Sequence, residues 1–178
     1  MKKITVVAML LVSIIAVAQQ KMVCKTGVIT FEASIPGFEE VKANNNNVTV
    51  VINPKTGQIA SLALMKGFRF KVALMEEHFN ESYMQSDKYP KAIFKGKIEN
   101  FDINKLTESP NDFVINGTLE LHGKTQIIKT IAKISKYGEK IIFESDFSVK
   151  VSDFGIIITA VSYKVSNKVN INISAILK

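Results

Sequence analysis

Apolar and polar residues alternate along most of the chain, a pattern typical of β-strands with one buried and one exposed face. From Phe143 to Lys150, for example, Phe, Ser, Phe and Val alternate with Glu, Asp, Ser and Lys. Regular alternation, together with two less regular segments at 58–64 and 126–135, predicts eight strands, over residues 30–35, 48–53, 58–64, 94–99, 115–121, 126–135, 141–150 and 169–177. The sequence therefore predicts an all-β fold.

Turn signals separate these segments. Residues 53–57 contain a proline that presets one backbone angle and a glycine that is free to adopt positive φ. Residues 122–125 and 136–139 predict consecutive hairpins, whose strands must be antiparallel. The polar run Asn44 to Asn47 is expected to be a loop. A weaker irregular or helical stretch is expected around residues 153–162, and the chain shows neither an internal repeat nor a linker, so one domain is expected.

One segment has helical spacing instead. Between residues 72 and 83 the apolar positions recur every three or four residues, with glutamates and an asparagine between them, at Val72, Met75, Phe79 and Tyr83. This spacing predicts an amphipathic helix of about three turns. The helix is expected to end before Tyr89-Pro90, since proline disfavours helical geometry at the preceding residue.

Eight antiparallel strands joined mostly by short turns need to protect their edges, and closing the sheet into a barrel removes the edges. A two-layered sandwich is the alternative. In a barrel of eight strands the interior is either just filled by side chains or holds one small ligand. Whether the interior is filled or holds a ligand decides the function.

The first eighteen residues are expected to be a signal peptide. Lys2 and Lys3 form a cationic start, residues 4–17 are almost entirely apolar, and Ala16-Val17-Ala18 supplies the small residues of a cleavage site. The apolar run is shorter than the ~20 residues that span a bilayer. We expect a mature domain over residues 19–178, a periplasmic or secreted location, and no integral membrane segment after cleavage.

Composition excludes several function classes. The single cysteine, Cys24, leaves no internal disulfide and no multi-cysteine metal site, and two histidines make a transition-metal site unexpected, so neither a metal nor another cofactor is predicted. Removal of Lys2 and Lys3 lowers the formal charge from +7 to +5. The remaining lysines are scattered and no nucleic-acid-binding signature is present, so nucleic acid is not an expected partner.

Four segments resemble the YceI-like family. Asn116 to Thr125 contains the "LHG" hairpin of that family, and His78-Phe79 through Tyr89-Pro90 to Phe94 resembles its "HL … YP … F" stretch. Residues 26–33 and Asp153 to Ile156 match in place and order. The resemblance extends over nearly the whole mature chain.

The resemblance implies an eight-stranded antiparallel lipocalin-like β-barrel with one short helix, exported to the periplasm, that binds a polyisoprenoid or similar lipid in its pore. One feature departs from the family pattern. The family often has an Arg-Asp pair ahead of its "HL", whereas this chain has Glu76-Glu77 before His78. Residues 65–71 are a candidate replacement for the cation.

Inward aromatic and aliphatic side chains are the expected pore lining; from sequence alone, an ordinary filled core is equally compatible with them. These residues are Phe31, Val50, Phe68, Phe70, Phe79, Phe94, Leu119, Phe143 and Phe147. Arg69 is the only arginine in the chain, and with Lys71 it is a candidate for binding a phosphate-containing headgroup. Strand alternation also allows Arg69 and Lys71 to lie on a solvated face.

His78 is a third candidate for headgroup contact, and His122 is expected to fix a hairpin. No spacing of nucleophile, histidine and acid marks a catalytic centre, so no catalytic residue is predicted and a non-enzymatic lipid carrier is favoured. Two alternatives remain. One is a small enzyme acting on a lipid or quinone through His78 or His122, and the other is a protein-binding module with a filled core. A homodimer is left open.

Overall fold

The computed structural model describes residues 21–158 and 165–178. Nine strands and one α-helix are found in these ranges. The strands are β1 (Met22–Glu32), β2 (Lys42–Ile52), β3 (Gln58–Leu64), β4 (Arg69–Phe70), β5 (Lys91–Ile98), β6 (Asn111–Leu121), β7 (Lys124–Tyr137), β8 (Lys140–Lys150) and β9 (Lys168–Leu177). The helix α1 (Ala73–His78) continues into a π-helical turn (Phe79–Tyr83), and short 3₁₀ turns occupy Met65–Gly67, Ile103–Lys105 and Val151–Phe154.

Eight of these strands close into an antiparallel barrel. The order around the described barrel is β1-β2-β3-β5-β6-β7-β8-β9, and β9 pairs with β1 to complete the circle. The two-residue strand β4 pairs with the beginning of β2, through the Ala43–Phe70 and Asn44–Arg69 pairs. The barrel is confirmed and the sandwich is excluded, because a sandwich leaves its sheets unclosed.

The direction of the strands defines two ends. At one end, which we call the mouth, lie the segments 33–41, 65–90, 122–123, 151–158 and 165–167. At the opposite end, the floor, lie the turn at 53–57, the segment 99–110, the turn at 138–139 and both ends of the described chain. All helical structure between β3 and β5 therefore sits at the mouth.

Side chains fill the floor. Five large aliphatic residues from five different strands have no exposed surface there, namely Ile52, Ile98, Ile134, Ile141 and Leu177. Each lies near the floor end of its strand, so their side chains converge. This half of the barrel is a packed core, whereas the half nearer the mouth is hollow.

The boundaries of the first two strands differ from the expected ones. β1 begins eight residues earlier than expected, because bulges between Cys24 and Ile29 interrupt its alternation. The asparagine run at 44–47 was expected to be a loop, and this expectation is wrong: these residues belong to β2. Asn45 is buried, and its side chain donates to the Leu64 carbonyl at 3.0 Å and accepts from the Asn47 amide at 3.0 Å. The amide side chain therefore satisfies backbone groups inside the wall.

The helical segment lies where the apolar spacing predicts it, over residues 73–83, although its second half is a π-helical turn. The Met84 amide donates to the Phe79 carbonyl five residues earlier, at 2.9 Å. The expected irregular stretch at 153–162 begins inside the 3₁₀ turn Val151–Phe154. Its last residues, from 159, and the expected signal peptide at 1–18 lie outside the described residues.

Candidate functional site: the barrel cavity

A cavity of about 600 Å³ occupies the half of the barrel nearer the mouth. All eight strands of the barrel contribute to its wall, and most of the contributing side chains are aliphatic or aromatic. Small-molecule sites in proteins span roughly 300–1,000 Å³ and are mostly apolar. The cavity therefore has the size and lining of a ligand site, and the expectation of a fully filled core does not hold for this half.

The wall contains all nine side chains that the sequence singled out as pore lining. They are Phe31, Val50, Phe68, Phe70, Phe79, Phe94, Leu119, Phe143 and Phe147. Six of them come from barrel strands at inward positions, and the other three from β4, the helical segment and the residue before β4. That they contact a ligand stays a prediction.

Four phenylalanine rings form a cluster that joins the barrel to the helical segment. Phe31 at the end of β1 lies with its ring centroid 5.3 Å from Phe68, 5.7 Å from Phe70 and 5.4 Å from Phe79. Phe79 also lies 5.7 Å from Phe68 and 5.2 Å from Phe70. These separations are those of favourable aromatic pairs. The cluster forms the apolar wall at the mouth, and it fixes the helical segment to the barrel.

On the opposite wall, the ring of Phe94 covers a pair of glycines. Gly96 and Gly117 are direct partners across β5 and β6. A Cβ atom added to Gly117 would lie 2.5 Å from the Lys95 carbonyl oxygen and 2.5 Å from the Cζ atom of Phe94. The two glycines therefore leave the space in which the Phe94 ring lies flat against the wall.

Gly117→Ala is expected to lower the free energy of unfolding by about 1–3 kcal/mol, because the new methyl group forces the ring or the backbone to move. Urea denaturation of the two proteins measures the difference. Thr118→Ala, at the adjacent exposed position, is the matched control and should cost less than about 1 kcal/mol. Equal losses in the two variants would show that the glycine pair does not set the position of the ring.

The cavity opens to solvent at the mouth. Three exposed residues from three different segments line it, Glu39 before β2, His78 at the end of α1 and Ile157 after the last 3₁₀ turn. Ser82, Tyr83 and Ser166 add polar groups on the same side. A headgroup at the mouth would therefore meet hydroxyl groups, an imidazole and one carboxylate.

Of the three headgroup candidates, only His78 lines the cavity. The Arg69 guanidinium donates to the Glu76 carboxylate at 2.9 Å and to the backbone carbonyls of Lys66 and Phe68. The other oxygen of Glu76 accepts from the Phe70 amide at 3.1 Å. Arg69 thus connects β4 to the helical segment, and the structure does not bring it to the cavity wall.

Lys71 lies outside the cavity wall as well. Its ammonium group is 2.5 Å from the carboxylate of Glu40 in the loop before β2. This hydrogen bond and the charge of Lys71 lower the pKa of Glu40, and the same partner raises the pKa of Lys71. Both groups face water, where salt screens such a pair. Contact of Arg69 or Lys71 with a headgroup stays a prediction that this arrangement does not favour.

His122 is in the hairpin between β6 and β7, in the left-handed region with φ of 51°. Its ring lies 4.4 Å from the ring of Tyr89, and its Nδ1 atom is 3.3 Å from the Phe154 carbonyl oxygen. These contacts join three mouth segments, and the residue is not part of the cavity wall. The geometry agrees with the expected structural role in the turn.

Several wall residues were not singled out from the sequence. Alternation signals part of this set, the inward aliphatic residues Ile59, Ile115, Ile128, Ile171 and Ile173. Nothing in the sequence signals Glu39, Ser82 or Ser166, because loop residues have no periodicity that indicates their direction. No group of His, Cys, Asp and Glu side chains within the described ranges could hold a metal ion. Among the same residues, no helix has the length and hydropathy needed to cross a bilayer.

Residues 21–177 match the family model of the YceI-like domain. The fold is similar to a polyisoprenoid-binding domain from Saccharophagus degradans, at 12% identity and a TM-score of 0.76, over 89% of this chain and 97% of that one. It is also similar to BcnA of Burkholderia cenocepacia, at 15% identity and a TM-score of 0.68, over 85% of this chain and 96% of that one. The YceI protein of Campylobacter jejuni is similar at 20% identity and a TM-score of 0.62, over 80% of this chain and 87% of that one. No relative was found among curated proteins.

Proposed function

The chain belongs to the YceI-like domain family, and we propose that it is an exported binding protein that holds a polyisoprenoid or a similar lipid by its apolar chain. The observation that carries this proposal is the apolar cavity of about 600 Å³ that opens at the mouth. The polyisoprenoid-binding domain from Saccharophagus degradans, which has the same fold, supports an isoprenoid as the ligand class.

Burial of the chain supplies the affinity. Each methylene group transferred from water contributes about 0.8 kcal/mol. A chain of about fifteen carbons therefore gains about 12 kcal/mol, which exceeds most of the range of about 4–15 kcal/mol that association and ordering cost. The headgroup stays at the mouth near His78 and Ser82, where it contributes selectivity more than affinity. Residues that contact only hydrocarbon suit a carrier or a storage protein, and we propose no reaction.

Export follows from the expected signal peptide at residues 1–18. A periplasmic or secreted protein would sequester the lipid or ferry it through an aqueous compartment, where an unbound isoprenoid chain is insoluble. The family resemblance supports the same location. The single cysteine of the chain, Cys24, is buried and free, so folding in an oxidising compartment needs no disulfide.

Organic extraction of the purified mature protein, followed by mass spectrometry of the extract, tests the function. We expect a lipid with a long apolar chain at close to one molecule per protein, and an intact mass that corresponds to a chain beginning at Gln19. The control is the same extraction after the protein has been stripped of lipid and reloaded with an isoprenoid alcohol. An empty extract from several expression hosts, together with failure to reload, would reject the lipid-binding function.

A further inference from the structure

The wall of the barrel has a gap between β7 and β8. The backbone ladder of these strands runs from their hairpin at the floor to the Ala132–Ser145 pair and goes no further. Both strands continue toward the mouth, but residues 124–131 and 146–150 are not paired with each other. We call the opening between residues 127–131 and 146–148 the slot.

The slot is not the result of frayed strands. On its other side β7 stays paired with β6 as far as the Leu121–Lys124 pair, and β8 stays paired with β9 as far as the Lys150–Lys168 pair. Toward the mouth the slot is closed by the side chain of Gln126, which donates to the Asp153 carbonyl at 2.8 Å. Five residues of an extended strand span about 17 Å. The slot is thus an opening about 17 Å long along β7, with paired strands on both sides and a hydrogen bond across its mouth end.

Hydroxyl groups satisfy the backbone where the ladder stops. Ser145 donates to the Ile131 carbonyl at 2.8 Å, and Thr130 lies 3.4 Å from the Asp146 carbonyl and 3.3 Å from the hydroxyl of Ser145. These two carbonyls therefore do not need a partner strand. At this end of the slot an added peptide strand, which would pair with free carbonyl and amide groups, therefore finds fewer partners.

The slot lies directly beside the cavity. A depression of about 480 Å³ lies over it, and three residues line both this depression and the cavity: Ile128, Thr130 and Phe147. On the outer surface beside it, Ile127 is 85% exposed and Ile131 is 56% exposed. Apolar side chains thus lie on both sides of this part of the wall, in the lumen and at two isoleucines that face water.

We propose that the slot is a second binding segment for the lipid, through which the distal end of a long apolar chain leaves the lumen and lies against Ile127 and Ile131. This inference rests on the proposed function. At ~30 Å³ per water-sized group, the cavity of about 600 Å³ accommodates roughly 20 heavy atoms. A longer chain with its headgroup at the mouth needs a second exit, because the floor is filled.

A disulfide that closes the slot tests the inference. If the ladder continued, Lys129 would face Ser148, with Cα atoms about 4.5–5.5 Å apart, which a disulfide can bridge. Both side chains are exposed, so K129C/S148C changes the wall without changing the cavity lining. The matched control is K133C/E144C, an exposed pair that already faces each other in the intact part of the ladder. Each variant is also measured after reduction.

The probes are isoprenoid alcohols of about 15 and about 40 carbons, one below and one above the ~20 heavy atoms of the lumen. Closure of the slot is expected to weaken binding of the long probe at least tenfold and to leave the short probe unchanged. Reduction should restore the affinity for the long probe, and the control disulfide should have no effect. Unchanged affinity for the long probe in the closed variant would overturn the slot and leave the proposed function standing.

Photolabelling of the unmodified protein gives an independent answer, including the case in which the disulfide fails to form. A long probe with a diazirine at its distal end is expected to label residues 127–131 and 146–148, whereas a short one labels the lumen. Labelling by the long probe confined to the mouth residues would overturn the inference. Failure of both probes to bind would reject the proposed function itself, and the slot with it.

Discussion

Replacing Ile134 by alanine is expected to lower the free energy of unfolding by about 2–5 kcal/mol. Ile134 has no exposed surface and lies near the floor end of β7, outside the cavity wall. The loss combines the transfer free energy of the removed carbons with the cost of the void that they leave in a packed region. Urea denaturation monitored by circular dichroism measures the change.

Ile171→Ala provides the matched comparison, because the same atoms are removed from a residue that is half-buried and already faces the cavity. Its neighbours lose few contacts and no new sealed void forms. The expected loss is no more than about 2 kcal/mol, the transfer term alone. If the two variants lost equal stability, the division of the barrel into a filled floor and a hollow upper half would be wrong.

The division of the barrel into a filled floor and a hollow upper half limits what the sequence alone could predict. Alternation in residues 143–150 predicted which side chains point inward, and the structure places Phe143 and Phe147 on the same face of β8. Alternation does not predict whether the inward side chains pack against one another or leave a cavity between them. Ile141, on the same strand and the same face, is part of the filled floor. The difference depends on how far apart opposite walls are, which is a property of the closed barrel and not of any one strand.

Long-range pairing explains the other differences. The asparagine run at 44–47 has the composition of a loop, yet Asn45 is held inside the wall by the Leu64 carbonyl. Arg69 lies among aromatic residues in the sequence and suggested a headgroup site, yet Glu76 binds its guanidinium group. In both cases a partner distant in the sequence, or across a turn, decides the role of a polar side chain. The slot also depends on long-range pairing, because the ladder between β7 and β8 stops at the Ala132–Ser145 pair while both strands continue.

The short strand β4 and the helical segment show what the empty upper half requires. A hollow barrel lacks the side-chain contacts that stabilise its floor, so its rim needs support from another source. The Phe31, Phe68, Phe70 and Phe79 rings supply apolar contacts between the rim and the helical segment. Glu76 adds directional hydrogen bonds to Arg69 and to the Phe70 amide. The helical segment therefore stabilises the mouth while leaving the lumen open.

Filling the lumen with a large side chain should weaken lipid binding without lowering the stability of the fold. Ser61 is an inward residue of β3, between Val50 and Phe94 in the paired strands, and it lines the cavity. Ser61→Trp adds about eight heavy atoms to a space for roughly 20. We expect the affinity for a long isoprenoid alcohol to fall at least tenfold, a loss of about 1.4 kcal/mol or more. The free energy of unfolding should stay the same or rise, since the indole fills a void.

Ala60→Trp is the matched control, because its side chain is on the opposite face of the same strand and is not part of the cavity wall. The natural chain contains no tryptophan, so each variant carries a single indole that reports its own surroundings. Fluorescence titration should show a buried indole and weak binding for Ser61→Trp, and full binding for Ala60→Trp. Full affinity in Ser61→Trp with the indole inside the lumen would mean that the lipid chain binds elsewhere, because the two cannot occupy the same volume.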